Sequence, residues 1–418
     1  MNILFLSSWF PYPPDNGSQI RVFNLIKQLS NKHDITLLSF FRPSGRLSGT
    51  NDGEITADRL DAMRCICRAA YAVPLSPFRP TSLRSVMGLF SPRPRSYVDM
   101  YSQRMQETVE RLWEEEDFSL VIASQSVTAP YAATLKDVPK VFEEIELTTL
   151  QEQYTRQSDV LHRLRYGLMW WKTRRFMARL LCQFDGCTVV SPQERANVLD
   201  IVGATCFSNP SSLTVVPNGV DLERYEGHFG KPKPGTLIFP GALTYIANFD
   251  AMEFFLSEVF PLVKARHPDV TLRITGKADG VPVNRLAMDE NVTLTGYLED
   301  IRPAVAQSWI CVVPLQIGGG TRLKILEAMA LGTAVVSTSK GAEGLDVTPG
   351  QDILIADEPT AFASAVLRLL GDGELRTRLA VNGKKLVRER YGWEQIGEKL
   401  DLFLHQVVRN YQHRCIDG

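Results

Sequence analysis

Three consecutive glycines, Gly318, Gly319 and Gly320, stand between an apolar run that ends at Pro314 and a helical pattern that starts near Thr321. Glycine lets a backbone come close to a ligand, and Thr321 has the side chain of an N-cap. The first turn of that helix then carries Arg322 and Lys324, which oppose the helix dipole unless an external anion meets them. Free N–H groups of Gly319, Gly320 and Thr321, with these two cations, outline a cradle for a diphosphate. Lys324 and Glu327 are three residues apart and share one helix face, separated by ~4.5 Å along the axis at ~1.5 Å per residue. A lysine at phosphate, with a carboxylate one turn on to accept both hydroxyls of a ribose, suits a nucleoside diphosphate. The competing account is a surface Lys–Glu pair worth ~0.3 kcal/mol, which leaves the glycines unexplained.

Apolar runs alternate with helical patterns on both sides of this motif. In the first half the runs are Asn2–Ser7, Ile35–Phe40, Ala70–Pro74, Leu120–Ala123, Lys140–Glu143, Gly186–Val190 and Leu213–Val216. In the second they are Thr236–Pro240, Val270–Thr275, Val292–Thr295, Ile310–Pro314, Ala334–Ser337 and Ile353–Ala356. Helical patterns cover Ser18–Ser30, about Phe249–Lys264, Asp300–Gln307, Thr321–Leu331 and Thr360–Leu370. Short apolar strands alternating with helices predict parallel sheets covered on both faces. The chain, 418 residues long, exceeds one ordinary core. The prediction is an α/β protein of two doubly wound Rossmann-like domains, 1–216 and 217–392, facing across a cleft. Val215–Asp221 marks the hinge, the polar Glu226–Gly235 reads as a linker, and ligands are expected at the carboxyl ends of the strands.

Composition narrows the function. Lys+Arg number 46 against 47 Asp+Glu, a formal charge of −1 that provides no whole-protein field for nucleic acid. The longest uncharged stretches carry Ser, Thr, Gln, Gly and Pro, so no spanning helix is expected. Met1–Phe10 reads as a first strand rather than a leader, since no basic region precedes it. The seven cysteines are scattered, without zinc or redox spacing, which fits a reducing cytoplasm. Ser48–Glu54 reads as a loop. Ser76–Arg95 and Leu161–Leu181 each carry several basic residues and no acid, the latter beside Trp170 and Trp171. One reading is peripheral contact with the inner face of an anionic membrane, or a grip on a lipid-linked acceptor, through a basic helix 161–181. The other is a solvated helix whose arginines pair with acids such as Glu114 to Asp117.

The ordered set Val215–Asp221, Phe239-Pro240-Gly241, Ile274-Thr275-Gly276, Asn291–Gly296 and Gly318–Gly332 followed by Thr333–Ser337 resembles the retaining glycosyltransferases of family 4, which have the GT-B architecture. The first half resembles that family only in its general strand and helix pattern. The resemblance implies transfer of a hexosyl-type sugar from a nucleoside diphosphate sugar to a glycan, lipid-linked or small-molecule acceptor, with retention, without metal or cofactor, in polysaccharide or glycoconjugate assembly. It also implies that the last helix, about 393–418, returns to the first domain.

Residue by residue, Glu327 matches the second glutamate of the family's Glu-x7-Glu motif and would bind the ribose. Gly319 stands where the first glutamate contacts the donor sugar, so the N–H groups of Gly319 and Gly320 are expected to serve instead. The basic residue often found after Gly241 is absent from Gly241–Asp250; Arg322 and Lys324 are the replacements, ahead of Lys277 and Lys340. Gly17, in Asp15-Asn16-Gly17-Ser18, matches the first glycine-rich loop, and Glu343 is a further donor-sugar candidate or part of a glycine turn. No histidine lies near Lys140–Glu143, where the family commonly has one; Glu143, Glu144 or Glu146 could bind the acceptor or take its proton, or form a surface acidic cluster. Two other functions keep the fold: a nucleotide-sugar epimerase that needs no acceptor, and a non-catalytic nucleotide-sugar-binding subunit.

Overall fold

The structure is a computed structural model that describes residues 1–42, 55–143, 160–202, 210–318 and 322–417. Chain contacts divide it into two units, Met1–Pro217 with Ile396–Gly418, and Asn218–Gln395. The expected loop Ser48–Glu54 lies outside the described residues, as do Glu144, Glu146, Gly319, Gly320 and Thr321.

The first unit is built on β1 (Asn2–Ser7), β2 (Asp34–Phe41), β3 (Ala69–Pro74), β4 (Leu120–Ser124), β5 (Lys140–Glu143), β6 (Gly186–Val189) and β7 (Leu213–Val215), all parallel, in the order β3-β2-β1-β4-β5-β6-β7. β1 and β4 are almost wholly buried because helices cover both faces, so their apolar runs are continuous rather than alternating. The second unit is built on β8 (Lys233–Pro240), β9 (Thr271–Thr275), β10 (Val292–Gly296), β11 (Ser308–Val313), β12 (Ala334–Ser337) and β13 (Leu354–Ile355), parallel in the order β10-β9-β8-β11-β12-β13. Each unit has its own apolar core. These are two Rossmann-like α/β domains. In each, strand order reverses once, at β1/β4 and at β8/β11, which opens a crevice at the carboxyl ends of those strands.

Three sequence expectations change. The linker read at Glu226–Gly235 ends early, because Lys233–Gly235 already belong to β8. The helix expected over Phe249–Lys264 is Ile246–Phe254, a π-helical turn Phe255–Val259, then Phe260–Lys264. Pro261 has no N–H for the carbonyl one turn back, and the wider turn takes up the mismatch. A helix not anticipated covers Gly373–Arg390, capped by Asp372, whose side chain accepts from Leu375 N at 2.8 Å. Its Gly383 leaves room for Met329, since a Cβ there would come 2.9 Å from Met329 Cγ. That close approach buttresses the helix Leu323–Ala330. Five cysteines (Cys65, Cys67, Cys187, Cys311, Cys415) are free thiols, whereas Cys182 is disulfide-bonded, which the scattered spacing did not suggest.

Candidate functional site

Two strand ends and one helix assemble the candidate site in the second unit. β8 ends at Pro240 and is followed by Gly241; β11 ends at Val313 and leads through Gly318 into the helix Leu323–Ala330. β8 and β11 are neighbours at the switch point, so both loops leave the sheet side by side. Lys324 stands in the first turn of that helix and donates to Asn248 Oδ1 at 2.7 Å. Asn248 is oriented by its own amide, which donates to the Ala242 carbonyl at 2.8 Å. The Lys324 ammonium also sits 4.2 Å from the centroid of the Phe239 ring. Burial, aided by the Arg322 charge, pushes Lys324 down to about 7, against the opposing pull of Cys311 and Glu327. An ammonium poised near neutrality gains most from an arriving anion. Gly241 makes the arrangement possible: a Cβ there would come 2.7 Å from Asn248 Nδ2 and 2.9 Å from Lys324 Nζ.

Glu327, on the same helix, accepts from the Tyr225 hydroxyl at 2.7 Å. Burial holds its carboxyl above the usual carboxylate range despite that bond and Lys324, while burial and Glu327 together push the Tyr225 phenol far up. Lys324 and Glu327 are therefore fixed by different neighbours, which disfavours a simple intrahelical pair.

Arg322 differs from expectation. It occupies the cap position of the helix, where Thr321 was expected, and is only 5% exposed. Its Nη2 donates to the Gly318 carbonyl at 2.6 Å and the Lys340 carbonyl at 3.1 Å, with Glu343 at 3.9 Å. The guanidinium ties two loops together and is not a mobile charge. Gly318 adopts φ 101°, a left-handed conformation, with the Tyr245 hydroxyl 3.2 Å from where its Cβ would be. Glu343 is paired with Lys340 at 2.7 Å, a contact that competes with any donor-sugar role. Lys277 is exposed, and its ammonium lies over the Tyr297 ring at 5.8 Å.

The switch point of the first unit is polar and buried. Asn16 caps the helix Gly17–Leu29, accepting from Gln19 N at 3.1 Å, and Gly17 is exposed at its start. Gln125, at the end of β4, adopts φ 67° and donates to the Ser18 hydroxyl at 3.3 Å. Glu143 does not form a surface cluster. It is fully buried, bonded to Arg21 at 2.7 Å, and accepts from Ser124 at 2.6 Å. Arg21 also donates to the carbonyls of Val216 at 2.9 Å and Pro217 at 3.0 Å. A carboxylate so occupied by a permanent cation is no general base.

Residues 15–224, half of the chain, match the family model described as Glycosyltransferase Family 4, and residues 234–372 match that described as Glycosyl transferases group 1. The chain belongs to the glycosyltransferases that these two models describe. Over 225 residues this glycosyltransferase is 26% identical to a GDP-mannose-dependent monoacylated alpha-(1-6)-phosphatidylinositol monomannoside mannosyltransferase of Corynebacterium glutamicum, covering 49% of this chain and 59% of that one. It is 25% identical over 175 residues to an uncharacterized 44.6 kDa protein in the cps region of Klebsiella pneumoniae, covering 38% and 43%. The chain thus spans about half the length of the curated relatives it matches. Its fold is that of TarM (TM-score 0.68, 12% identity, covering 97% and 99%) and of Anabaena Alr3699/HepE in complex with UDP (TM-score 0.66, 14% identity, covering 97% and 100%). Two parallel-sheet α/β domains of this kind are the GT-B architecture.

Sequence reasoning missed three partners in this glycosyltransferase. Asn248 lies in Gly241–Asp250, which carries no basic residue to mark it, and Tyr225 lies just before the polar stretch Glu226–Gly235. Arg21 left a signal: it is the lone charge beside Val22, Leu25, Ile26 and Leu29 on the buried side of its helix. Among the described residues one cluster has metal-ligand spacing, His33, Asp401 and His405, with ligand atoms within 4.8 Å. Lys32 already bonds Asp401 at 2.9 Å and the Met1 amino group lies 3.3 Å from His33 Nδ1. Those ammonium groups oppose a further cation, and the cluster ties the segment before β2 to the helix Trp393–Asp417. No described helix is long and apolar enough to cross a membrane.

Proposed function

We propose that this glycosyltransferase moves a sugar from a nucleoside diphosphate sugar to an acceptor hydroxyl with retention at the anomeric carbon, in glycan or glycoconjugate assembly. The carrying observation is the Lys324–Asn248 pair beside Gly241, with Glu327 on the same helix at the β8/β11 switch point. Lys324 would meet the diphosphate and Glu327 the ribose. As the glycosidic bond to the leaving phosphate breaks, negative charge grows on the diphosphate. A preorganised ammonium there lowers the barrier, by up to ~3 kcal/mol on the scale of one oxyanion donor. Arg322 would act through the loop, fixing Gly318 and Lys340, and the N–H groups expected at Gly319, Gly320 and Thr321 would complete the cradle.

Support for a nucleotide donor also comes from similar proteins. Anabaena Alr3699/HepE is known in complex with UDP and with UDP-glucose, and the Corynebacterium relative is GDP-mannose-dependent. In this reading the second unit holds the donor, the first receives the acceptor, and Lys324 supplies the positive charge without a metal. An epimerase would need proton-transfer carboxylates, and Glu143 is instead locked to Arg21. The test incubates the purified chain with UDP- and GDP-sugars, with and without a glycan or lipid-linked acceptor. Nucleoside diphosphate release that requires acceptor, yielding a product of unchanged anomeric configuration and insensitive to EDTA, is expected. Conversion of donor without acceptor, or an inverted product, overturns the proposal.

A further inference from the structure

The surroundings of Lys324 Nζ are those of a reactive amine rather than of a structural ammonium. Lys32, Lys264 and Lys340 each pair with a carboxylate. Lys324 forms no ion pair among the described residues; Glu327, one turn on, accepts from Tyr225 instead. Its Nζ donates to the neutral amide oxygen of Asn248 at 2.7 Å, and the centroid of the Phe239 ring lies 4.2 Å away. An amide and a ring face thus hold the nitrogen in place without a countercharge. Gly241 leaves one side of it bare, since a Cβ there would stand 2.9 Å from Nζ.

Burial and the Arg322 charge, against the pull of Cys311 and Glu327, bring Lys324 down to about 7. At pH 7.5 roughly three quarters of it is therefore free amine, against about 0.1% of an exposed lysine near 10.4. A weaker base is a weaker nucleophile, which returns part of that advantage. Only the free amine carries the lone pair that attacks a carbonyl, and lysines desolvated in apolar surroundings are the ones that form Schiff bases. Burial lowers Lys140 as well, but Asp185 and Asp137 pull it back. The Cys311 thiol is pushed up to about 12 by burial, so it stays protonated and does not compete.

The place of this amine selects its partner. Lys324 stands in the first turn of the helix Leu323–Ala330, which has no acid there and whose positive end favours phosphate.

We infer that Lys324 is a covalent modification site: its amine closes an imine with a small aldehyde that carries a phosphate, and the adduct reversibly blocks the donor site. The Nζ lone pair adds to the carbonyl carbon and forms the C–N bond. The carbonyl oxygen then leaves as water with the two amine hydrogens, and hydrolysis runs the same steps backward. The phosphate requirement rests on the donor-site reading above; the reactivity of the amine does not.

The experiment incubates the full chain with pyridoxal 5′-phosphate at pH 7.5, reduces the imine with sodium borohydride and locates the label by peptide mass spectrometry. UDP and GDP binding to the unlabelled chain is measured in parallel by titration calorimetry. Lys324 should be labelled at least tenfold faster than Lys277 or Lys264, with a rate that rises through a midpoint near pH 7. Pyridoxal, which lacks the phosphate, should label it at least tenfold more slowly, whereas glyceraldehyde 3-phosphate, which lacks the aromatic ring, should label the same lysine. Asn248→Asp sets a carboxylate against Nζ, holds the ammonium charged and should slow labelling about tenfold. Asn248→Ala removes the oxygen without adding charge and should keep or raise the wild-type rate. Labelling of Lys324 in a chain that binds neither nucleotide would sink the donor reading and leave the reactive amine standing. Nucleotide binding with Lys324 labelled no faster than Lys277 overturns the inference alone. Equal labelling by pyridoxal, no labelling by glyceraldehyde 3-phosphate, or a wild-type rate in Asn248→Asp overturns it as well.

Discussion

The Tyr225 hydroxyl donates to Glu327 Oε1 at 2.7 Å, a bond between a short helical turn before β8 and the helix after β11. It leaves Oε2 as the free oxygen of a carboxyl that burial already disfavours as an anion. Removing the hydroxyl removes a charge-assisted hydrogen bond of roughly 1.5–3 kcal/mol. Tyr225→Phe is expected to weaken nucleoside diphosphate binding about tenfold, and Glu327→Ala about a hundredfold, by titration calorimetry. Equal affinity for both variants and wild type would remove Glu327 from the ribose.

Lys324 gives nucleotide binding a pH signature. Its ammonium titrates at about 7 in the free protein and is held charged once a diphosphate lies against it. Binding therefore takes up a proton near and above neutrality. Affinity should be greatest below pH 7 and fall by up to tenfold per unit above it, until the raised pKa of the complex is reached. Calorimetry in buffers of different ionisation enthalpy measures the uptake directly; zero uptake at pH 8 contradicts the assignment.

The same burial makes Lys324 a cost to the fold. Its folded pKa lies below the ordinary 10.5, so the folded state binds fewer protons than the unfolded state between about 7 and that value. Stability from this group rises with pH across that window and is lost below it. Lys324→Met should raise the melting temperature at pH 7 while abolishing turnover, the exchange of stability for function common at active sites. A lower melting temperature would argue that Lys324 is structural.

Gly241→Ala should act on the same pair from the other side. A Cβ 2.9 Å from Lys324 Nζ displaces the ammonium by a few tenths of an ångström or more. Misplacement on that scale costs up to ~100-fold in turnover. The thermal transition should stay close to wild type.

In the first unit, Arg21 and Glu143 are fully buried, and breaking one partner strands the other. Arg21→Ala should destabilise by roughly 3–5 kcal/mol in urea unfolding, whereas Arg21→Met with Glu143→Leu should recover most of it. Equal losses for the single and double variants would mean that the Val216 and Pro217 carbonyl bonds, not the ion pair, dominate.

Much of this glycosyltransferase was written in local pattern. Buried parallel strands demand continuous apolar runs, so β1, β5 and β12 could be bounded to the residue. The helix Gly373–Arg390 escaped because its buried stripe, Leu375, Leu379, Gly383, Leu386 and Val387, is diluted by charge and includes a glycine. Gly318, Lys324 and Glu327 were legible as a set, since glycines ahead of a cationic first turn conflict with helix electrostatics unless a ligand resolves the conflict.

What sequence could not decide is which charges face outward, because that depends on neighbours brought from far along the chain. Lys324 meets Asn248 from 76 residues away and Glu327 meets Tyr225 from 102. Arg322, identical in formal charge to Lys324 and two residues before it, is turned inward onto Gly318 and Lys340. Glu143, one carboxylate in an acidic run, is claimed by Arg21 across 122 residues of chain. Charge type and spacing follow from covalent order; whether a charge is spent on the fold or left for a substrate follows from packing.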